Sequence, residues 1–405
     1  MTELDDNPRI ADDPTTLNSG DCVDMGVYEF PAGAAADGDG DGVPDSCDLC
    51  PGFDDFLDSN ADGTADGCDA CPGFDDGEDS DGDGVADGCE VCPGFNDALD
   101  GGGVPDGCDT PTVHNLTQLT DHFTLQAAID ASTDGDVIAA EPGTYQEAIK
   151  FNGKAITLRS ASGDPTDTII DGNGAFHVVQ CVDGEGLDTV LEGFTITGGN
   201  ANSTVEPNDR RGAGMYIGFG SPTVRHCLFI GNAASSAGGG MFDSGSSLIS
   251  DCIFRNNSAF FGGGIFNSSN TSTVTKCIFS GNIASQGGGM ANNDDSSPVI
   301  SNSIFSSNSD QGRVDESAQI FTLSGTPVVN YGYVQGGWSG AGGVGNIIPG
   351  PLNDPGFVDP NGLDDLLGTE DDNLRLRSDS PVIDAGDGSV AASIWTATGA
   401  LSMLR

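Results

Sequence analysis

Basic residues are what this chain has least of. Lys plus Arg number 13 against 63 Asp plus Glu in 405 residues, a formal net charge of −50 at pH 7, and none lies between Arg9 and Lys150. A chain without a basic footprint is a poor partner for nucleic acid and for anionic membrane surfaces. Divalent cations or basic partners are its natural counter-charges. No apolar run is long enough to span a membrane as a helix. The opening Met1-Thr-Glu-Leu-Asp-Asp has neither the basic nor the apolar part of a signal peptide. An exported protein would therefore carry its signal upstream, or the start is misassigned. Long 3.6-period runs are also absent, which excludes stacked helical repeats, and Gly is abundant at 62 residues.

What is present is repetition. SPTVRHCLFIGN, SSLISDCIFRNN, TSTVTKCIFSGN and SPVISNSIFSSN follow one another within Ser221–Phe321. Cys227, Cys252 and Cys277 are 25 residues apart, and Ser303 takes the fourth place. Each copy has Phe two residues on (Phe229, Phe254, Phe279, Phe305) and Asn five residues on (Asn232, Asn257, Asn282, Asn308), and three copies are followed by a Gly-Gly-Gly block. A fixed period of this size with β-branched residues signals stacked supersecondary units. The fitting architecture is a parallel β-helix, each coil ~4.8 Å above the last. Cys and Phe, two apart, face the interior. The Asn residues are expected at φ > 0 in a turn, with amides bonding along the axis. The residue after each Cys (Leu228, Ile253, Ile278, Ile304) then faces outward, either under a covering loop or as a flat partner surface, unless the register is slipped by one.

Residues 37–109 carry a second repeat, of 21 residues, marked by Cys47, Cys68, Cys89 and by Cys50, Cys71, Cys92 in Cys-x-x-Cys-Pro-Gly-Phe. An acidic loop precedes each copy: Asp37, Asp39, Asp41, Asp45, Asp48; then Asp58, Asn60, Asp62, Asp66, Asp69; then Asp79, Asp81, Asp83, Asp87, Glu90. Oxygen donors at positions 1, 3, 5, 9 and 12, with Gly at 6, are the spacing of a looped Ca²⁺ site. A fourth copy keeps Asp100, Asp106 and Asp109 but has Gly102 in place of a ligand. No helical pattern flanks the loops, so they are not EF-hands. The segment resembles thrombospondin type 3 repeats, in which Asp-rich loops wrap calcium with little core, though it adds a second Cys and the Pro-Gly-Phe insert. A zinc ribbon and a solvated acidic linker are the rival readings; carboxylates suit hard cations better than zinc. Eight cysteines before residue 109 suggest an oxidising compartment. Bonding each second Cys to the first of the next repeat gives Cys50–Cys68, Cys71–Cys89 and Cys92–Cys108, leaving Cys22 for Cys47, one of many pairings open to eight cysteines.

Elsewhere, Phe123–Asp130 reads as a short amphipathic helix, followed by strands at Asp136–Ala140, Ala155–Arg159 and Thr168–Asp171 and a turn at Glu141–Tyr145. This opening resembles the N-terminal cap of the pectin-lyase-like β-helix superfamily, and a cap would hide the first coil's core and strand edges. Roughly eight coils fit residues 136–347. Leu4–Ile10 and Val23–Phe30 resemble the closing tail of bacterial secreted β-helix proteins with a C-terminal anchoring segment. In that family the tail follows a Ser-Pro-x-Ile-Asp-Ala-Gly-Asp stretch, present here at Ser380–Asp387. The expected division is a tail of a preceding unit at 1–33, calcium repeats at 34–110, the capped β-helix at 111–347, an acidic anchor-type connector at 348–388 and an atypical, disordered end at 389–405. A one-base shift could turn part of that end into a string like the start of the missing tail, so a frameshift or truncation is expected there.

The fold class expected is all-β: a right-handed parallel β-helix preceded by a calcium-binding, disulfide-braced segment of low secondary structure. Charged candidates on the coils are few: Asp209, Arg210 and Arg211 in one loop, Arg225-His226, Asp251, Arg255 and Asp294-Asp295. The polygalacturonase Asn-Thr-Asp and Gly-His-Gly, pectate-lyase Trp-x-Asp-His and pectin-methylesterase Gln-Asp-Thr patterns are absent. No catalytic residue is assigned. The expected role is a secreted or cell-surface structural or adhesive protein, with Ca²⁺ bound and polysaccharide or surface protein as partner. The alternative is a polysaccharide-degrading lyase or hydrolase, because this fold hosts such enzymes without implying them.

Overall fold

The computed structural model describes residues 112–383, apart from 204–205, 207, 341, 351–352 and 363–372, together with 385–386 and, in the acidic repeats, residues 38, 40, 50–54, 57–59 and 64–69. The chain divides into two compact units, Met1–Thr110 and Pro111–Arg405.

The second unit winds as a parallel β-helix. One coil runs through Thr223–Arg225, Leu228–Ile230, Ala233–Ala234 and Met241–Asp243, and the next begins at Leu248–Ser250. Like strands stack into four sheets of ten, eight, five and seven strands. The longest sheet includes an antiparallel start, Val113–Asn115 with Thr120–His122 and Val137–Ala140. The eight- and seven-stranded sheets correspond to seven or eight turns, as the period predicted. The stretch expected as a turn at Glu141–Tyr145 holds a strand, Gly143–Tyr145, paired to Thr168–Asp171.

The repeat register is the one expected. Phe229, Phe254, Phe279 and Phe305 occupy successive in-register positions and are fully buried. Their rings stack at 4.7, 4.9 and 4.2 Å between centroids, within 5° of parallel. Identical residues in one rotamer, repeated at a coil's rise, place their rings face to face. Cys227, Cys252 and Cys277 are buried free thiols, each donating to the carbonyl two residues back, as Ser303 does with its hydroxyl. Desolvation holds the Cys252 thiol well above its ordinary range, and all three cysteines act as small core residues.

The Asn column departs in one respect. Its members are buried, but the residue at φ > 0 is the one before: Gly231 (φ 68), Asn256 (51), Gly281 (67) and Ser307 (63). That left-handed residue turns the chain, which frees the next side chain to point inward. Asn257 Nδ2 donates to Phe229 O (2.8 Å) and to Asn282 Oδ1 (3.0 Å), and Asn282 Oδ1 also accepts the Asn257 backbone N–H (3.1 Å). The pattern repeats in each coil and ends at Asn308 on Gln319 Oε1 (2.8 Å). Every polar atom is satisfied, the condition for a buried polar ladder to stabilise. The Gly blocks are needed for close approach: a Cβ on Gly264 would lie 2.5 Å from Gly289 O on the next coil.

The outward ladder is only partly exposed. Ile278 and Ile304 are fully buried and Ile253 half-buried. They lie under Phe357, Leu374, Leu376 and Val382, contributed by the antiparallel pair Phe357–Asp359 and Asn373–Leu376 and the turn after it. The ladder faces outward as expected, and of the two readings the covering loop holds, because the chain beyond the last coil returns over it. Removing such a strip from water contributes roughly 1.5–3 kcal/mol per large aliphatic side chain.

The short helix expected at Phe123–Asp130 is present. The helix Leu125–Ala131 buries Leu125, Ala128 and Ile129. Thr124 caps it by accepting from Ala127 N (3.1 Å). The Glu147 carboxylate accepts from Leu125 N and Gln126 N, at 2.7 and 3.0 Å. Gln126 also bonds both backbone groups of Lys150, which satisfies the edge of the first strand in the seven-stranded sheet.

In the first unit, Cys50 and Cys68 form a disulfide, the pairing expected; the other expected pairs lie outside the described residues. The Phe53 ring occupies the space a Gly67 Cβ would take, so Gly67 and Phe53 form a small packed corner beside the bridge.

Candidate functional site

The outer face of the seven-stranded sheet carries a second column, missed in the sequence. After each Gly block the first residue (Met241, Ile265, Met290) points into the core and the next points out. The outward positions in register are Tyr216, Phe242, Phe266, Ala291 and Phe321. Tyr216 and Phe242 stack at 5.3 Å, Phe242 and Phe266 at 5.7 Å. His177 continues the stack, 4.8 Å from Tyr216 and tilted by 24°. A signal was available: an aromatic two residues after Gly240 and Gly264. It was masked by the stronger Cys-x-Phe pattern.

The expected loop Asp209, Arg210, Arg211 lies beside this column. It enters through a single 3₁₀ turn, Asn208–Arg210. The Arg211 guanidinium sits 5.3 Å from the Phe242 ring centroid, a cation–π contact. Asp209 Oδ1 is 3.6 Å from His177 Nε2, and His177 Nδ1 is 3.2 Å from Gly212 O. Both His partners are acceptors and would favour the imidazolium. Desolvation outweighs them and lowers the His177 pKa, since the ring is only 7% exposed. Desolvation likewise raises the Tyr216 phenol, with Arg211 opposing. The structure thus joins Asp209, Arg211, His177 and Tyr216, two of them unforeseen, in a cluster largely closed to solvent.

The remaining charged candidates are dispersed. Arg225 pairs with Glu192 at 2.8 Å on the longest sheet. His226, Asp251 and Lys276 take successive left-handed turn positions, φ 54, 54 and 55. Asp294 accepts from Ser268 Oγ at 2.7 Å. A fully buried acid also went unpredicted: Asp243 accepts from Ser272 Oγ, Gly245 N and Ser247 Oγ at 2.5, 2.9 and 3.2 Å. Burial raises its pKa against those bonds. It stands in register with Asn267 and Asn292, inside the coil, where it ties corners together.

Of the fifteen expected calcium ligands, Asp58, Asp66 and Asp69 are described and the other twelve lie outside the described residues. The Asp66 carboxylate accepts from Ser59 N and Ser59 Oγ, both at 2.6 Å, so it closes its own loop. Among the described residues no three His, Cys, Asp or Glu side chains form a metal-holding group. The donor chemistry of the loops, all oxygen, fits a hard cation.

Residues 168–330 match the family model of the right handed beta helix region. The described coils are therefore those of a right-handed parallel β-helix. No curated protein matches the chain. Among solved structures, the chain is similar to a pectin methylesterase from carrot at 15% identity, covering 52% of this chain and 69% of that one with a TM-score of 0.35. It is also similar to a pectin methylesterase from Yersinia enterocolitica, at 13% identity, 52% and 78% coverage and a TM-score of 0.36. A pectin methylesterase in complex with hexasaccharide VII is 13% identical, with 54% and 76% coverage and a TM-score of 0.31. Among the described residues no helix is long and apolar enough to cross a membrane.

Proposed function

We propose that this protein is a secreted or cell-surface structural or adhesive protein, in which calcium-stiffened, disulfide-braced repeats carry a β-helix that binds glycan on its outer surface. The observation that carries this reading is the division of labour among side chains. The buried polar groups of the coils bond one coil to the next, as Asn257 and Asp243 do. The outer column covers its own rings, Tyr216, Phe242 and Phe266 being 4–9% exposed. This leaves the half-buried Arg211, Phe261 and Phe321 at its margin as the residue types that hold sugars by stacking and hydrogen bonding. A second reading, a polysaccharide-cleaving enzyme, has the His177–Asp209 pair in its favour. The burial of His177 weighs against it, because a general acid or base must reach its substrate's proton. Incubating the full chain with acidic and neutral polysaccharides separates the two. Retention on a polysaccharide with no new reducing ends or unsaturated products is expected. New products would transfer the protein to the enzyme class, and neither retention nor products would remove glycan as a partner.

A further inference from the structure

The two nitrogens of His177 meet their neighbours at unlike distances. The ring is 7% exposed, and each nitrogen faces a carbonyl or carboxylate oxygen. Nδ1 lies 3.2 Å from Gly212 O, and Nε2 lies 3.6 Å from Asp209 Oδ1. A neutral imidazole has one N–H to give. The shorter distance places it on Nδ1, donating to the carbonyl, because the hydrogen bond made fixes the tautomer. Nε2 then turns a lone pair towards a carboxylate. Their separation exceeds hydrogen-bond reach, as it must for two acceptors held face to face.

The other charged and titratable groups around the ring leave that contact as it is. Arg211 sits over the Phe242 ring. Arg210 Nε donates to Ser235 Oγ at 3.4 Å. The Tyr216 ring stacks on His177 at 4.8 Å, its phenol raised by burial and so neutral. Asp209 itself belongs to the short turn Asn208–Arg210, and its carbonyl accepts from Ser203 N at 3.2 Å.

A second proton changes the match. With an N–H on each nitrogen the imidazolium suits both oxygens, and Nε2 can donate to Oδ1 in a charge-assisted bond of about 2.7–2.9 Å. We propose that His177 and Asp209 form a proton-operated latch: a proton gained at Nε2 draws the turn Asn208–Arg210 against the outer ring column, and its loss lets the turn stand off. Desolvation lowers the His177 pKa, so the latch closes on the acid side of the ordinary value of 6.5. In that window the native chain binds fewer protons than the unfolded one, and overall stability falls with acidification even as the local contact tightens. The latch is independent of what the column binds.

The test follows the full chain by histidine ¹⁵N NMR and by amide-exchange protection factors at about pH 7.5 and about pH 5. The proton is expected on Nδ1 at the higher pH. Protection of residues 208–211 is expected to rise about fivefold or more at the lower pH, while Tm falls. Because protection rises as Tm falls, partial unfolding cannot mimic the result. Asp209→Asn can offer an amide N–H to the Nε2 lone pair and is expected to keep the higher protection at both pH values. His177→Phe, which continues the ring column without titrating, is expected to lose the rise; should it fail to fold, His177→Gln takes its place. A proton on Nε2 at the higher pH, a wild-type protection that does not change with pH, or a rise that persists without His177 would each overturn the latch.

Discussion

Two repeats share this chain and recur in residues of opposite chemistry. The 25-residue repeat places Phe and Cys at fixed positions, and the β-helix buries them in continuous columns. The 21-residue repeat places carboxylates at fixed positions, with one or two Phe per copy and no Lys or Arg. Regular spacing alone announces stacked units; the residue that recurs says what holds them. Apolar columns supply their own driving force. Carboxylates brought within ~4 Å of one another repel by roughly 1 kcal/mol per pair even in water, which a bound cation would offset.

The largest test of that contrast is calcium removal. Chelation is expected to expand residues 34–110 and open them to proteases while the β-helix keeps its dichroism, since in the proposed calcium repeats metal binding energy would be folding energy. A calcium titration of residues 34–110 that changes neither dichroism, compactness nor protease resistance would replace the calcium reading with an acidic linker. Reducing Cys50–Cys68 should add to the effect of chelation by enlarging the unfolded ensemble.

Within the β-helix, the inner and outer columns can be set against each other. Phe254→Ala is expected to cost about 3–5 kcal/mol, as for other fully buried Phe, and chemical denaturation reads it directly. Asn257→Ala comes next, at about 1–3 kcal/mol, because Asn232 and Phe229 O each lose a partner in a dry interior. On the outer ladder, Ile278→Ala should cost about 2–3 kcal/mol and Ile253→Ala distinctly less. Equal costs would mean that the returning segment Phe357–Val382 does not cover Ile278 in solution.

The smallest expected effect concerns pH. Burial raises the Asp243 carboxyl above the ordinary carboxylate value of 3.8. Between that value and the raised one the native state holds more protons than the unfolded chain, so stability declines as pH rises through this window. Asp243→Asn continues the column of Asn267 and Asn292 and should flatten the decline, leaving the variant at least as stable at neutral pH. A pH profile identical to wild type would mean that the carboxyl's hydrogen bonds from Ser272 and Gly245 cancel its desolvation.

The sequence disclosed the inner columns because each position repeats with one residue type and one direction. It left the Cys50–Cys68 bridge as one of many pairings its cysteine spacing allowed. The outer aromatic column was harder to see, because Ala291 breaks it and Phe321 is displaced by the insertion of Glu316–Gln319. His177 gave no signal at all: it lies 39 residues before Tyr216 in sequence, and only the winding brings the two rings together.

The sequence by itself determined the period, the all-β class, the inward faces and the acidic loops, since these follow from local spacing and side-chain chemistry. The tertiary structure alone decided which outward residues stay wet. Ile253 and Ile278 occupy the same place in successive copies, yet one is half-exposed and the other buried under Phe357, Leu374 and Val382. Local spacing says which way a side chain points. Whether water reaches it depends on a segment about a hundred residues away, and the repeat carries no record of that segment's path.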